Sequence, residues 1–430
     1  MKIKHLSLAI ILPMICIFAT EPQYFSSSDH FSNNSYIRNA MINNDRKIKN
    51  VILFIGDGMG PNHVSAAEIL KGSSLSFTNK NDLNWSLNGY QNTDSLTSNG
   101  FTLDTTKSLL RPELNGTLYD NSDSPYGSGG NYLSNTCFTD SAAGGTALST
   151  GRKTNNSYIA MGPTGEEYET ILEIAHSLNK KTGVVTTDKM TGATPSSFLT
   201  HIDQRHKTDE ILTLDAESEA NLIIAEKPSN WKDTHDTLYA NNGWHIAKNI
   251  SETSINSEKE VVLLDNLLSN SSLTPSLEDL TAYSLDKLDN EEGFFLMIES
   301  SEIDTASHEN QIGTTLQAVL EFERSIEVAT RWAEPRNDTL IVVTADHETG
   351  AIYYNRNTTT QANIYDNVKF LSKNHSRTRV PFYVWGDVTS FTSTYNDLLT
   401  KQGKIDEGME TESSIYWQNT DIFKLCVSYL

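Results

Sequence analysis

The amino-acid sequence predicts an α/β protein, a three-layer α/β/α sandwich built on a largely parallel central sheet. The first observation is a set of apolar runs that end in acidic or glycine turns: NVILFIGDGMG from Asn50, KTGVVTTD (181–188), GFFLMIES (293–300) and DTLIVVTADHETG (338–350). Runs that are apolar on both faces are typical of buried parallel strands. The second observation is apolar residues spaced three and four apart between these runs, as from Ile312 to Ile326, which predicts helices. Strands alternating with helices indicate a layered α/β fold.

Composition and charge restrict the partners of the chain. The 430 residues are 37% apolar and 20% charged, which is typical of a soluble globular protein with a large core. The 55 acidic residues outnumber the 33 basic ones, giving a net charge of −22. Such a surface repels nucleic acids and anionic membranes, so we expect neither as a partner. An acidic protein that handles an anionic substrate needs local cations, so we expect bound metal.

The chain begins with an export signal. Lys2 and Lys4 precede the apolar run LSLAIILPMICIFA, and Ala19 is a small residue suited to cleavage, so residues 1–20 are predicted to be a signal peptide. We expect a secreted or periplasmic protein without a membrane anchor once the signal is removed. Residues 21–48 read as a polar N-terminal arm. Residues 49–430 read as one catalytic domain with surface insertions near 92–134 and 228–260.

Two cysteines remain after signal removal, Cys137 and Cys426. They could form a disulfide in an oxidising compartment, or they could be two separate buried residues. Their sequence positions do not decide between these alternatives.

The stretch TDSAAGGTALSTG (139–151) places Asp140 and Ser141 at a predicted helix start. Asp and Ser are common helix N-caps, so one interpretation is purely structural. The other is that Ser141 is a nucleophile and that the helix N-terminus holds an anion beside it. The stretch by itself favours the cap.

Metal-binding residue types follow three of the predicted strands. Each has an ordinary interpretation by itself, but ligands in α/β sheets bind outside the carboxyl ends of the strands. Asp304 and His308, four residues apart, share one face if that segment is helical. Histidine with aspartate suits zinc, whereas an all-oxygen set suits magnesium. The strand-end candidates are Asp57, Glu299, Asp304, His308, Asp346 and His347.

Six blocks of the sequence resemble motifs of the alkaline phosphatase family, in the family's order between about residues 48 and 386. They are ILFIGDGMG, TDSAAGGTALSTG, GATPSSFLTHIDQR, PSLEDL…GFFLMIESSEIDTASH, VTADHETG and NHSRTRVPFYVWG (374–386). The resemblance implies an α/β/α sandwich, two zinc ions and one magnesium ion per active site, and a homodimer. It also implies that phosphate monoesters are hydrolysed through a phosphoserine.

The resemblance assigns a role to each matching residue. The first zinc would be held by Asp304, His308 and His375, and the second by Asp57, Asp346 and His347. Asp57 would also reach the magnesium, together with Glu299 and Thr194. Ser141 would be the nucleophile, and Arg205 would clamp the phosphate. Without the resemblance, His375 reads as a surface histidine.

The chain departs from the family pattern at two positions. Gly192 stands two residues before Thr194, where relatives carry Asp or His, and Thr305 follows Asp304, where bacterial relatives often carry Lys. We expect water to complete the magnesium shell at Gly192, so that Gly192→Asp would bind magnesium more tightly. The glycine could instead serve a backbone angle with positive φ.

Related reactions differ in their motifs. A sulfatase needs x-Pro-x-Arg after its nucleophile, whereas Ser141 is followed by AAGG. A diesterase usually carries Thr as nucleophile and lacks the arginine clamp. No His–Asp pair is evident near Ser141, so activation by metal is expected. The alternatives are a related phosphodiesterase and a catalytically inactive secreted metal-binding protein.

Overall fold

The computed structural model describes residues 48–79, 84–93, 138–265, 275–389 and 416–430, together with residues 82, 95 and 267. The predicted signal peptide, nearly all of the polar arm, most of the loop at 92–134 and Cys137 lie outside these residues. Within the described part of the chain, none of the helices combines the length and apolar character that a membrane span needs.

Ten strands form one central sheet, in the spatial order β14-β2-β13-β8-β1-β7-β3-β4-β6-β5. β13 runs antiparallel to its neighbours β8 and β2, whereas the other strand pairs are parallel. The largely parallel sheet predicted from the apolar runs is confirmed. Its strands are β1 Asn50–Gly56, β2 Trp85–Asn92, β3 Lys181–Lys189, β4 Leu222–Glu226, β5 Trp244–Ala247, β6 Lys259–Leu264, β7 Phe294–Ser300, β8 Thr339–Thr344, β13 Val380–Trp385 and β14 Tyr416–Gln418.

Two small hairpin-like sheets lie beside the central one. They pair β9 Glu348–Thr349 with β12 His375–Ser376, and β10 Ile352–Tyr353 with β11 Lys369–Phe370. The pairing of β9 with β12 matters for the site, because it places His375 opposite Thr349, close to His347 in the chain.

Helices cover both faces of the sheet. They are α1 Pro61–Lys71, α2 Ser141–Thr150, α3 Ile171–Ser177, α4 Ala193–Leu199, α5 Thr208–Glu217, α6 Asp233–Asn241, α7 Leu277–Leu288, α8 Glu302–His308, α9 Ile312–Ala333, α10 Ile364–Asn367 and α11 Asn419–Val427. Short 3₁₀ turns occupy Ser76–Thr78 and Ile250–Glu252. The helices predicted from the spacing at 312–326 and at 304–308 are both present.

Alternate residues of the buried strands point to two separate cores. On β1, Ile52 and Phe54 belong to a core shared with α1, α7 and α9. Val51 and Leu53 belong to a second core shared with α3, α4 and α11. Because successive strand side chains point to opposite faces, a strand apolar throughout must be covered on both sides. This is the α/β/α sandwich that the sequence predicts.

Residues 228–260, expected to be a surface insertion, take part in the central sheet. They contain α6, the edge strand β5 and the start of its neighbour β6. Tyr239 and Trp244 are buried in the core on that side. The mixed composition of the segment reflects an edge strand, which is polar on its open side, and not an excursion from the domain.

Cys426 is buried in α11. The question of whether it pairs with Cys137 falls on a residue outside the described part of the chain.

Candidate active site

The predicted site residues meet where four adjacent central strands end. β8, β1, β7 and β3 are neighbours in the sheet. Ile55 of β1 pairs with Thr344 of β8 and with Glu299 of β7, and Glu299 pairs with Thr186 of β3. The strands therefore end at one level, so the residues that follow them come together although they are distant in sequence.

Helix α2 begins at Ser141 and points its N-terminus at this edge. Asp140 is the N-cap, and its Oδ1 accepts a hydrogen bond from Ala143 N at 2.9 Å. A Cβ at Gly144 would lie 3.0 Å from both Cβ and the carbonyl oxygen of Asp346. A Cβ at Gly145 would lie 2.8 Å from Ser197 Oγ. The two glycines thus let the helix start approach the end of β8 and helix α4 closely.

The cap and the candidate nucleophile are therefore different residues. Asp140 satisfies the helix N-terminus, and Ser141 is buried beside it with its hydroxyl facing His347. Ser141 Oγ lies 3.2 Å from His347 Nε2. The sequence showed no histidine near this serine, because 206 residues separate the two.

Hydrogen bonds determine which nitrogen of His347 carries the proton. Thr349 Oγ1 donates to Asp304 Oδ1, and it lies 3.3 Å from His347 Nδ1. Since the threonine proton is committed to Asp304, its oxygen accepts from Nδ1–H. The lone pair of Nε2 then faces Ser141 Oγ, Asp346 Oδ2 at 3.2 Å and Asp57 Oδ1 at 3.5 Å.

Asp304, His308 and His375 form a second cluster. Asp304 and His308 share one face of α8, with Oδ2 and Nε2 3.3 Å apart. His375 Nε2 lies 3.1 Å from His308 Nε2 and 3.6 Å from Asp304 Oδ1. His308 Nδ1 donates to Lys373 O, and His375 Nδ1 donates to Thr139 O. Carbonyls accept only, so the two Nε2 lone pairs face each other, an arrangement that a shared cation satisfies.

A group of three ligands forms around Asp57, but its membership differs from the prediction. Ligand atoms of Asp57, Asp304 and His347 all lie within 4.8 Å of one another, as do those of Asp304, His308 and His375. Asp304 therefore lies between the two groups. Asp346, predicted for the second group, contacts His347 Nε2 with its Oδ2, while its Oδ1 accepts from Gly58 N and His347 N.

Oxygen-bearing residues surround Glu299. Thr186 Oγ1 donates to Glu299 Oε2, and the Thr194 hydroxyl approaches the same carboxyl closely enough to lower its pKa. Burial and the charge of Asp188 outweigh this and raise the pKa of Glu299 to about 8. An oxygen-only set of this kind suits magnesium rather than zinc.

The pKa shifts of the buried carboxyl and imidazole groups show that the site favours bound cations. Burial and neighbouring carboxylates raise the pKa of Asp57 well above its usual range, and burial with Asp304 raises that of Asp346 to about 7. Burial lowers the pKa of His375 and His347, which keeps both imidazoles neutral. Burial opposes ionisation of Asp304 as well, but hydrogen bonding to His308 and the nearby histidines hold its pKa below its usual range.

Three buried oxygens of the predicted ligands have no hydrogen-bond partner among the described residues: Asp57 Oδ1, Asp346 Oδ2 and Thr194 Oγ1. Buried polar atoms are normally satisfied, so each orphan needs an explanation. Unpaired oxygens, facing imidazole nitrogens and clustered carboxylates are the environment that divalent ions stabilise. The residues present therefore fit zinc at the two histidine-containing groups and magnesium at Glu299 and Thr194.

Arg205 joins the site through the helix cap. Its Nη1 donates to Asp140 Oδ2 at 3.2 Å, and its backbone N donates to Ser157 O at 2.9 Å. Burial opposes the charged form, but Asp140 raises the pKa of Arg205, so the guanidinium stays positive. This cation lies beside the helix start that carries Ser141.

The structure brings all ten predicted site residues to one edge of the sheet, and it adds two that the sequence analysis missed. One is Asp188 at the end of β3, to which the same strand-end rule applies as to Asp57. The other is Asp140, whose sequence position indicates only a helix cap. Its second oxygen accepts from Arg205, a contact between residues 65 positions apart that no local pattern signals.

The two departures from the family pattern have distinct environments. Gly192 has φ −58°, so the explanation by positive φ is wrong. The space in front of it holds the carboxylate of Asp188. Thr305 is exposed on α8, and its hydroxyl donates to Ser301 O at 3.3 Å, so it supplies no charge to the site.

The fold and the site together define an α/β/α protein in which a serine at a helix start meets metal-binding residues at the carboxyl ends of parallel strands. A model of the alkaline phosphatase family matches residues 116–238 and 258–422, more than half of the chain. The chain belongs to the alkaline phosphatase family.

Named relatives agree with this membership. The chain is 31% identical over 320 residues to alkaline phosphatase 4 of Bacillus subtilis, covering 71% of this chain and 62% of the relative. It is 27% identical over 406 residues to the repressible alkaline phosphatase of Saccharomyces cerevisiae, covering 84% and 62%. The chain thus spans about three fifths of the length of these relatives.

Solved structures share the fold. The alkaline phosphatase of the Antarctic bacterium TAB5 superposes with a TM-score of 0.64 at 23% identity, covering 89% of this chain and 98% of that one. The enzyme of Thermus thermophilus superposes with a TM-score of 0.65 at 20% identity, covering 90% and 92%. At these identities the likeness concerns the fold.

Proposed function

We propose that the protein is a metal-dependent phosphatase that hydrolyses phosphate monoesters to an alcohol and inorganic phosphate through a phosphoserine at Ser141. The observation that carries the proposal is the position of Ser141 Oγ, buried at the N-terminus of α2 and 3.2 Å from His347 Nε2. Around it lie two groups of metal-ligand type and the guanidinium of Arg205. Family membership supports the same reaction.

The ligand types divide the site between two zinc ions and one magnesium ion. Asp304, His308 and His375 would hold the first zinc, and Asp57, Asp346 and His347 the second. Glu299, Thr194 and Asp57 would hold the magnesium. When bound, these ions would lower the pKa of the Ser141 hydroxyl and of water and would neutralise charge on the phosphate oxygens.

The residues of the chain divide the remaining work. The N–H groups at the start of α2 and the Arg205 guanidinium bind the oxygens of the phosphate and orient it toward Ser141 Oγ. Ser141 Oγ gives up its proton and forms a bond to phosphorus while the bond from phosphorus to the ester oxygen breaks, and the departing ester oxygen takes up a proton to become the alcohol. Water then attacks the phosphoserine from the side that the alcohol has vacated, which releases phosphate and restores the hydroxyl.

Contacts that converge on phosphate leave the alcohol unspecified, so we propose monoesters as a class. A monoester phosphorus carries three free oxygens, so two can bind the bidentate fork of Arg205, which Asp140 holds beside Ser141, and a third remains for the N–H groups at the start of α2, whereas a diester has only two free oxygens. No comparable feature of the site favours a phosphodiester as the substrate. The reading as an inactive metal-binding protein leaves the placement of Ser141 and Arg205 unexplained.

Export to the periplasm or the medium, after cleavage of residues 1–20, is also proposed, as is a homodimer. Export rests on the signal-like N-terminus, and the homodimer rests on the family. The acidic net charge of −22 supports the absence of nucleic acid and of anionic membranes from the list of partners.

The test compares three chromogenic esters, a phosphomonoester, a phosphodiester and a sulfate ester, with the zinc- and magnesium-loaded protein. We expect the monoester to be hydrolysed fastest, and a chelator to abolish the activity. Ser141→Ala should lower turnover by ~10³-fold or more while keeping bound zinc, as for other nucleophile deletions in an intact site. Acid trapping should label wild-type protein at residue 141.

Ser197→Ala is a matched control, because Ser197 is another buried serine whose hydroxyl bonds to backbone carbonyls behind α2. It should retain most of the turnover. A Ser141→Ala protein with a near-normal rate, or a diester preferred over the monoester, would refute the proposal.

A further inference from the structure

The space in front of Gly192 is filled by the carboxylate of Asp188, four residues earlier in the chain. A Cβ placed on Gly192 would lie 2.2 Å from Asp188 Oδ2 and 2.9 Å from Asp188 Cγ. Such distances are far below van der Waals contact. The absence of a side chain at position 192 is therefore matched by the presence of one at position 188, which reaches into the same volume.

The orientation of Asp188 is set by its own turn. It lies at the end of β3, and its Oδ1 accepts a hydrogen bond from Lys189 N at 2.7 Å. Gly192 N donates to Lys189 O at 2.7 Å, which closes the turn between β3 and α4. With Oδ1 engaged in the turn, Oδ2 is the atom directed at Gly192, two residues before Thr194.

Asp188 faces a set of oxygen-bearing residues. Thr194 is 1% exposed, and its Oγ1 has no hydrogen-bond partner among the described residues. Glu299 is equally buried, and Asp188 is the neighbouring charge that raises the pKa of Glu299 most. Glu299 of β7 thus has the Asp188 carboxylate from β3 and the Thr194 hydroxyl from α4 as neighbours, and a cation beside the two carboxylates would remove their repulsion.

Arg205 and Lys189 are the cationic side chains near Asp188, and the contacts of Arg205 are with other residues. Its guanidinium donates to Asp140 Oδ2, and within the described residues no hydrogen bond joins it to Asp188. The two residues attract each other, but without direct contact. The arginine is thus held by the helix cap, and Asp188 remains a neighbouring charge of Glu299.

We propose that Asp188 supplies an outer carboxylate to the magnesium site of Glu299, Thr194 and Asp57, from the volume that the missing side chain at Gly192 leaves open. This inference rests on the proposed function, which includes that magnesium. It adds a charged partner to a shell for which the sequence predicts water alone. It also reverses the expectation for Gly192→Asp, because that side chain would collide with Asp188 and place two negative charges in one volume.

The test is magnesium binding to zinc-loaded, magnesium-free protein, measured by titration calorimetry and by the rise in melting temperature on adding magnesium. Asp188→Asn keeps an oxygen for Lys189 N and removes the charge, so the fold is retained. We expect its magnesium Kd to increase by ~10–100-fold, the usual effect of losing an outer partner of a metal site. Glu169→Gln, at an exposed acid with the same charge change, should bind like the wild type.

A relocated carboxylate provides the second variant. In Asp188→Gly combined with Gly192→Asp, the acid enters the same volume from position 192, so we expect magnesium affinity to recover most of the loss seen in Asp188→Gly. This comparison holds even if Asp188→Asn unfolds. Gly192→Asp with Asp188 in place should bind magnesium more weakly than the wild type.

The outcomes separate the two proposals. If the wild type binds magnesium and Asp188→Asn binds it equally well, the role of Asp188 is wrong and the proposed function stands. If Gly192→Asp binds magnesium more tightly than the wild type, Asp188 is likewise excluded. If the wild type binds zinc and hydrolyses the monoester but does not bind magnesium, both the magnesium site and this inference fall.

Discussion

Asp140 links the cap of α2 to Arg205, the proposed phosphate clamp, and removing one of its two roles is a sharp test of the site. Asp140 is 2% exposed. Its Oδ1 caps α2 at Ala143 N, while its Oδ2 accepts from Ser157 N at 2.9 Å and from Arg205 Nη1 at 3.2 Å. Asp140→Ser keeps a capping oxygen, since serine is as good an N-cap as aspartate, and deletes the second oxygen.

The loss of stability expected for Asp140→Ser follows from the two hydrogen bonds that the substitution removes. Ser157 is 2% exposed, so leaving its N–H without an acceptor costs about 1–3 kcal/mol. The Arg205 side chain is 25% exposed, so water replaces part of its bond to Asp140, and we take about 1 kcal/mol for it. We therefore expect Asp140→Ser to lower the free energy of unfolding by about 2–4 kcal/mol.

Asp140→Ser should also weaken substrate binding. A guanidinium no longer held beside Ser141 binds phosphate less well, and a loss of about 1.4 kcal/mol corresponds to about a tenfold weaker interaction. We expect the KM of Asp140→Ser for the chromogenic monoester to be about tenfold higher than that of the wild type. Urea unfolding measures the stability, and steady-state kinetics measures KM.

Thr170 provides the matched control. It caps α3 in the same way, with its side chain accepting from Glu173 N, and it lies outside the site. Thr170→Ala should cost about 1 kcal/mol of stability and leave KM unchanged. If the free energy of unfolding of Asp140→Ser lies within about 0.5 kcal/mol of the wild-type value and its KM is unchanged, Asp140 is only a helix cap and does not hold Arg205 for the substrate.

Two further predictions concern protonation. The raised pKa of Glu299, about 8, and of Asp346, about 7, means that the metal-free fold loses stability as pH rises from about 4 through these values. The melting temperature of metal-free protein should therefore fall between pH 5 and 8, and zinc with magnesium should abolish this fall; a flat metal-free profile would contradict it. Asp215 is fully buried, neither of its oxygens has a hydrogen-bond partner among the described residues, and burial raises its pKa well above the usual range. Asp215→Asn should therefore raise the melting temperature more at pH 8 than at pH 5, and activity should be unchanged. An equal rise at both pH values would show that the Asp215 carboxyl is not protonated in the folded protein.

The sequence by itself determined the layered core and the local arrangement of several site residues. A strand apolar on both faces has to be covered on both sides, so the runs at 50–56 and 294–300 implied the sandwich that the two cores confirm. The spacing of Asp304 and His308 predicted their common helix face, and their side chains are indeed 3.3 Å apart. These features depend on neighbours in the chain, which a sequence displays directly.

Contacts between distant segments were decided only by the tertiary structure. His375 reaches Asp304 because β12 pairs with β9, a pairing of two short strands that have no apolar pattern of their own. Residues 228–260 resemble a surface insertion in the sequence, because their strand β5 lies at the edge of the sheet. An edge strand is buried on one side only, so it lacks the continuous apolar run of a central strand. Even the contact between Asp188 and Gly192, only four residues apart, depends on how the turn from β3 into α4 folds back, which no sequence pattern indicates. Such contacts arise from packing, which aligns side chains that no local periodicity relates.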